Sequence, residues 1–292
     1  GKATVTVKAN NASRLYGQVN PEFTAAYSGF MNGENLATSG ILGQPSLVTS
    51  ATASSATGEY DINASVGSLF SHNYTFSYEK GTLTVGKAVI KVKADDKSRS
   101  YGVSNPVLTA SYNGFVNGET LASSGISGSP VLNTSASITS EAGVYDITVS
   151  QGTLSSTNYS FSFETGKLSI GRNIITVTAD KMTRKYGSSN PVFSASFSGF
   201  LNGETLATSG ISGSPAFTTI ADASSPVGEY TIVIDKGTLS SANYEFAFVN
   251  GFLNVEKATI KVSPVDATRT YGAANPDFTA IYNGFVNGES LG

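Results

Sequence analysis

A Tyr-Gly pair recurs at Tyr16, Tyr101, Tyr186 and Tyr271, 85 residues apart each time in a chain of 292. The surrounding punctuation returns with it: RLYGQVNP, RSYGVSNP, RKYGSSNP and RTYGAANP, followed at one spacing by SGFMNGE, NGFVNGE, SGFLNGE and NGFVNGE. A strict period of this length means that one folding unit is used repeatedly, and function is then expected from the array more than from any single copy. The period divides the chain into modules at 2–86, 87–171 and 172–256 and a truncated fourth at 257–292. Because the chain starts on a repeat boundary and stops in mid-unit at Gly292, it reads as an interior piece of a longer protein.

A unit this small buries about 60–65% of its extended-chain surface, so its core is modest and it gains from staples or neighbours. No cysteine is present to staple it, which excludes disulfides and thiolate-bound metals. Charged residues make up 13% of the chain, and 18 basic residues are spread thinly against 21 acidic ones. That balance excludes a nucleic-acid partner, which needs basic residues gathered on one face to displace counterions. No apolar run approaches the roughly 18–20 residues that span a bilayer, so no direct membrane insertion is expected.

Within a unit the first segment alternates, with Ala3, Val5, Val7 and Ala9 on one parity and Thr4, Thr6 and Lys8 on the other, as a half-buried strand does. A polar loop is expected next, and then a fixed turn. Gly17 supplies a positive φ while Pro21 biases Asn20 towards extended backbone, and the pairing returns as Gly102 with Pro106, Gly187 with Pro191, and Gly272 with Pro276. A second strand over Phe23, Ala25 and Tyr27 follows. The segment Asn32–Gly40 has a capping Asn, an early Glu and a closing Gly, which predicts one to two turns of helix. A short edge strand is expected around Ser46–Thr49, a further strand from Gly58, and then a hairpin that joins Asn73–Tyr78 to Leu83 and Val85. In the third copy Asn250-Gly251 stands at that turn, the pair that primed hairpin turns select. Each module is therefore expected to be β-dominated α+β, a twisted antiparallel-rich sheet of about five or six strands with one short helix. An immunoglobulin-like β-sandwich satisfies the same pattern.

The inward parity changes across Gly86 and Lys87, from Leu83 and Val85 to Ala88 and Ile90. The change marks a new core, and with two residues between the strands there is no free linker.

These features together resemble the MBG repeats (YGX type) of large bacterial surface and adhesin-like proteins. The resemblance rests on the opening ATVTVKA, Tyr-Gly followed by Asn-Pro, Ser-Gly-Phe-Met-Asn-Gly-Glu, the Gly-Glu-Tyr strand, and Asn-Tyr-Thr-Phe leading into Gly-Thr-Leu-Thr-Val, and it covers essentially the whole chain. It implies an extracellular, bacterial cell-surface location and a stalk or spacer without enzymatic activity. The expected partners are the neighbouring modules, with any host, substratum or glycan ligand engaged through other domains.

Chemistry is sparse. The one histidine, His72, is replaced by Thr157 and Ala242 in the other copies, so no acid–base constellation recurs and no catalytic residue is assigned. Asp95 and Asp96 correspond to Asn10-Asn11 and Asp180-Lys181, so a Ca²⁺ site would not be general to the array, and neither metal nor cofactor is expected. An isopeptide bond would need a lysine at one position in each unit; Lys2, Lys87 and Lys257 line up, but Arg172 interrupts them. Two charges do recur. Arg14, Arg99, Arg184 and Arg269 precede the Tyr-Gly, and Glu34, Glu119, Glu204 and Glu289 follow the Gly-Phe. Arg and Glu of one unit are expected either to meet, tying turn to helix, or to be solvated separately. The tyrosines at Tyr16, Tyr101 and Tyr186 are read as hydroxyl-bearing core residues, the alternative being an exposed row for glycan stacking. The Ser/Thr-rich loops at 43–58, 128–143 and 213–228 offer a second reading, in which the modules themselves bind a ligand.

Overall fold

The computed structural model describes residues 1–292, and every regular element in it is a strand. The chain forms two compact units. The first comprises Gly1–Lys97, Pro106–Ser135 and Tyr145–Leu168; the second comprises Ser98–Asn105, Ala136–Val144 and Ser169–Gly292.

The first unit contains the first repeat complete. Its strands are β1 (Ala3–Ala9), β2 (Ala12–Leu15), β3 (Ala25–Ser28), β4 (Ser46–Val48), β5 (Gly58–Ser65), β6 (Tyr74–Glu79) and β7 (Gly81–Gly86). They make two sheets, ordered β3-β1-β6 and β2-β7-β5-β4. In the first sheet β1 is antiparallel to β3 and parallel to β6, so that Val7 stands opposite both Tyr27 and Tyr78. In the second, β7 is parallel to β2 and antiparallel to β5, with Leu83 opposite Ala12 and Tyr60. Val5, Val7 and Ala9 from one sheet and Ile62, Leu83 and Val85 from the other are at most 2% exposed, and they fill the space between the sheets. This is a two-sheet β-sandwich. Burying each Val, Ile or Leu side chain of this set contributes about 1.5–3 kcal/mol, which is how a module without disulfides holds together. The same core cluster runs on through Ala88, Ile90 and Val92 of the second repeat. That repeat forms the same three-stranded sheet from Ala88–Ala94, Ala110–Asn113 and Tyr159–Glu164.

The second unit contains the third repeat complete. Asn173–Ala179 lies between Ala195–Ser198 and Tyr244–Val249, and the facing sheet is built from Met182–Lys185, Gly251–Glu256, Gly228–Asp235 and Ala216–Thr218. Ile175, Val177, Ile232, Leu253 and Val255 form its core, all fully buried.

The mainly-β expectation holds, but three local expectations need correction. There is no helix at Asn32–Gly40. Asn32 and Gly33 both take left-handed backbone (φ 56° and 75°), and the Glu34 amide donates to the Met31 carbonyl at 3.0 Å, so the Asn-Gly pair makes a primed turn where a helix would have to start. One further turn follows, closed by the Ser39 amide on the Asn35 carbonyl (2.9 Å), and Gly40 (φ 66°) stops it. Second, β6 and β7 are not a hairpin. They are consecutive but belong to opposite sheets, the chain crossing the sandwich at Lys80. The glycine at that crossing is needed for close approach: a Cβ on Gly251 would lie 2.4 Å from the Ala179 carbonyl oxygen, and one on Gly81 2.5 Å from that of Ala9. Third, the polar stretch before the Tyr-Gly is strand β2, bringing the module to seven strands.

Candidate functional site: the joint between repeats

Arg14 stands on β2 and is 6% exposed. Its Nε donates to Asn20 Oδ1 (2.7 Å), its Nη1 to the Leu15 carbonyl (3.1 Å) and its Nη2 to the Thr52 carbonyl, while Asn20 Nδ2 donates to the Ala51 carbonyl (2.7 Å). Pro21 keeps Asn20 extended for this reach. Arg184 repeats the clamp with Asn190 and the Ala221 and Asp222 carbonyls, and Arg99 does so with Asn105 and the Ala136 and Ser137 carbonyls. The clamp pins the Ser/Thr-rich loop to the Tyr-Gly turn inside one repeat. All of its acceptors are neutral, so the expected Arg–Glu pair does not form. A buried guanidinium is instead satisfied by several carbonyl oxygens held in its plane.

The glutamate has a different partner. In the first unit Tyr16 donates its hydroxyl to Glu119 Oε1 at 2.6 Å, and Tyr159 donates to Glu119 Oε2 at 2.5 Å. Tyr16 belongs to the first repeat, whereas Glu119 and Tyr159 belong to the second. The two rings meet edge to face with centroids 5.5 Å apart, and the Val116 amide donates to the Tyr159 hydroxyl oxygen (3.2 Å). In the second unit Tyr101 and Tyr244 share Glu204 at 2.5 Å each, with rings again 5.5 Å apart. Tyr186 reaches Glu289 at 2.6 Å. In each case the primed Asn-Gly turn aims the carboxylate: Asn117 (φ 55°) and Gly118 (φ 73°) precede Glu119, whose amide closes on the Val116 carbonyl at 3.0 Å.

The glycine of the Tyr-Gly pair is fixed by the same joint. Gly17 has φ 84°, and a Cβ there would lie 2.4 Å from Val116 Cγ2 of the next repeat. Gly102 meets Leu201 and Gly187 meets Val286 equally closely. Burial of the tyrosines follows the same rule. Tyr16 and Tyr101 are 5% and 4% exposed, Tyr186 is half-buried against the partial copy, and Tyr271 is fully exposed. Polar contacts complete the seam: Thr57 donates its amide to Asn158 Oδ1 (3.1 Å) and its hydroxyl to the Thr157 carbonyl (2.9 Å), and the Ala142 amide donates to Asn243 Oδ1 (3.0 Å).

The electrostatics agree with this geometry. Burial, and next the hydrogen bond to Glu119, push the Tyr159 phenol up to about 12; burial and the bond to Glu204 do the same for Tyr244. Tyr16 and Tyr101 are raised first by their bonds to Glu119 and Glu204 and then by burial. A carboxylate that accepts from a phenol opposes that phenol's ionisation, so the joint keeps its protons well into alkaline solution.

The remaining candidates have local roles. His72 is exposed and stacks edge-on against Phe70, with centroids 4.8 Å apart. Asp95 accepts from Thr109 (2.5 Å) and Ser111, whose hydroxyls hold its carboxyl below the usual carboxylate range, and Asp96 accepts the Lys167 amide (2.7 Å). No three His, Cys, Asp or Glu side chains stand together as a metal cage would require. Lys2 and Lys87 donate to the Ser71 and Ser156 carbonyls (2.9 and 2.8 Å), and Arg172 donates to that of Ala242 (3.0 Å), so an ammonium or a guanidinium serves there.

Seven-stranded sandwiches in tandem, joined by a shared carboxylate, define a class of structural β repeat. The chain belongs to the MBG domain (YGX type) family, whose model matches residues 5–84, 90–169, 175–254 and 260–292. Repeats of this family occur in extracellular surface proteins. No helix is long and apolar enough to cross a membrane. No curated protein of similar sequence matches the chain. Among solved structures, the crystal structure of Drosophila N-cadherin EC1-4 aligns over 87% of this chain and 76% of its own, with 9% identity and a TM-score of 0.24, too distant a likeness to bear on fold or function.

Proposed function

We propose that these repeats are a stalk or spacer of a bacterial surface adhesin, carrying a distal binding domain away from the cell and catalysing nothing. The observation that carries this reading is the joint. Its recurring Tyr–Glu contacts hold one repeat to the next, and the strands Gly81–Gly86 and Ala88–Ala94 leave a single residue between them. A repeat array whose interfaces are built alike transmits position from one end to the other, which is what a spacer requires. The partners in this reading are the neighbouring repeats themselves; a host, substratum or glycan ligand belongs to other domains. Small-angle scattering of chains with two, three and more repeats tests it: the maximum dimension should rise by a constant increment per repeat, and Glu119→Ala should broaden the distance distribution. Saturable binding of one glycan on an array, lost on replacing the loops at 43–58 and 128–143, would replace the spacer with a ligand-binding module.

A further inference from the structure

The strands that open a repeat and those that close it run side by side in one direction. In the first repeat β1 is parallel to β6, in register from Ala3 opposite Tyr74 to Lys8 opposite Glu79. In the other sheet β2 is parallel to β7, from Ala12 opposite Leu83 to Leu15 opposite Gly86, and the Tyr16 amide extends that ladder to the Gly86 carbonyl at 2.8 Å. The third repeat does the same, pairing Asn173–Ala179 with Tyr244–Val249 and Met182–Lys185 with Gly251–Glu256. The opening and closing segments thus change sheets together, and a parallel pairing in each sheet ties the entry of the repeat to its exit.

Side-chain ties gather on the same pairs. Thr4 and Thr75 share a hydroxyl hydrogen bond at 3.1 Å, and Thr6 and Ser77 share one at 3.0 Å. Lys8 lies 3.8 Å from Glu79, Lys91 and Lys93 both pair with Glu164, and Lys185 meets Glu256 at 2.8 Å, each across a parallel pairing. At the head of the first strand a cation reaches the segment before its parallel partner: Lys2 to the Ser71 carbonyl, Lys87 to that of Ser156 and Arg172 to that of Ala242. Where the chain changes sheets, Asn11 Oδ1 accepts the Thr82 amide (2.9 Å) and Asp96 Oδ1 accepts the Lys167 amide (2.7 Å). Exposed ties of this kind add little to equilibrium stability, but their placement matters under load.

Tension along the chain enters a repeat at the N-terminal end of its first strand and leaves at the C-terminal end of its last. Because the pairings are parallel, these two points lie at opposite ends of the ladder, so a pull slides one segment along the other and loads every rung together. An antiparallel pairing under the same pull would open from one end, rung by rung. We propose that each repeat is a mechanical clamp, a load-bearing unit that resists tension applied along the chain. A clamp deepens the spacer reading on which it rests: scattering reads whether the repeats set a distance and force reads whether they hold under load, so either can fail alone.

The test is single-molecule pulling on the full chain, with handles attached through introduced cysteines, of which the chain has none of its own. Thr4→Cys with Thr84→Cys pulls the head of β1 against the tail of β7 and loads the pairings in shear. Thr4→Cys with His72→Cys pulls the heads of β1 and β6 apart and peels the same pairing. All three positions are exposed, so neither variant touches the core. At one loading rate the shear variant should rupture at a several-fold higher force than the peel variant, in one event that releases about 3.3–3.6 Å for each residue freed. The third repeat gives an independent comparison at the matching exposed positions, with Ile174→Cys and Asn254→Cys for shear and Ile174→Cys and Ala242→Cys for peeling. Equal forces in the two geometries, a lower force in shear, or gradual extension in shear without a discrete rupture would overturn the clamp.

Discussion

The shared glutamate makes a sharp energetic prediction. Glu119 accepts two phenol hydroxyls, one from each repeat, at 2.6 and 2.5 Å, from rings that are 5% and 1% exposed. A hydrogen bond to a charged partner contributes about 1.5–3 kcal/mol, and its loss leaves a buried hydroxyl without an acceptor. Glu119→Ala should therefore cost about 3–6 kcal/mol, counting both bonds. Glu34 provides the internal control. It occupies the same place in the first repeat but accepts only from Tyr74, at 2.5 Å, so Glu34→Ala should cost about half as much. The assay is native-state hydrogen exchange on the full chain, reading the opening free energy of the Thr57 amide, which bonds across the seam to Asn158. That amide should lose protection in Glu119→Ala and Tyr16→Phe and keep it in Glu34→Ala. A double-mutant cycle of Tyr16→Phe with Glu119→Ala should show coupling of about 1.5–3 kcal/mol. If the two changes are additive, or if Glu34→Ala matches Glu119→Ala, the carboxylate is not what joins the repeats.

Three further outcomes follow from the same geometry. Arg99→Met removes the donors to Asn105 and two carbonyls and should destabilise the clamp by about 3 kcal/mol, and Arg99→Lys should recover little because an ammonium cannot span the fork; urea unfolding of the chain reads both. Gly17→Ala must accommodate both φ 84° and Val116, whereas Gly272→Ala meets only the φ cost of about 1 kcal/mol, so the first should be clearly worse and partly rescued by Val116→Ala in thermal melts. For pH the sign is set by phenols raised above their ordinary value of about 10: their contribution is whole below pH 10 and is lost as pH climbs to about 12, so the joint should loosen across that window, with ultraviolet titration showing Tyr159 and Tyr244 ionising last.

Much of the sandwich was legible in the sequence because it rests on period-2 alternation. Val5, Val7, Leu83 and Val85 announce their burial by parity; the inward parity does change across Gly86 and Lys87, but the buried cluster runs on through Ala88, Ile90 and Val92 instead of starting anew. Sheet membership was less legible. The aromatic run at Tyr74–Glu79 and the run at Gly81–Gly86 are what a hairpin would look like, and only the three-dimensional path shows that the intervening residue carries the chain between layers. The Asn-Gly signal was real, but at Asn32-Gly33 rather than Asn250-Gly251. At the latter site Asn250 accepts the Ile234 amide (3.2 Å), and the glycine is there for closeness instead of for positive φ.

The joint was hidden for a more basic reason. In a chain of strict period, Tyr16 lies 18 residues from Glu34 and 103 from Glu119, and the residue types at the two offsets are the same. Sequence alone therefore gives contact within a repeat and contact with the next repeat equal standing. Three-dimensional placement breaks the tie, and it does so with a division of labour on one side chain. Tyr159 holds one oxygen of Glu119 from inside the second repeat, and the other oxygen accepts from Tyr16 of the first. The carboxylate is thus oriented by its own repeat and used by its neighbour. In such an array each Asn-Gly-Glu turn presents the carboxylate on which the preceding Tyr-Gly turn sits. The joint is directional: it runs from the Arg-x-Tyr-Gly turn of one repeat to the Asn-Gly-Glu of the next.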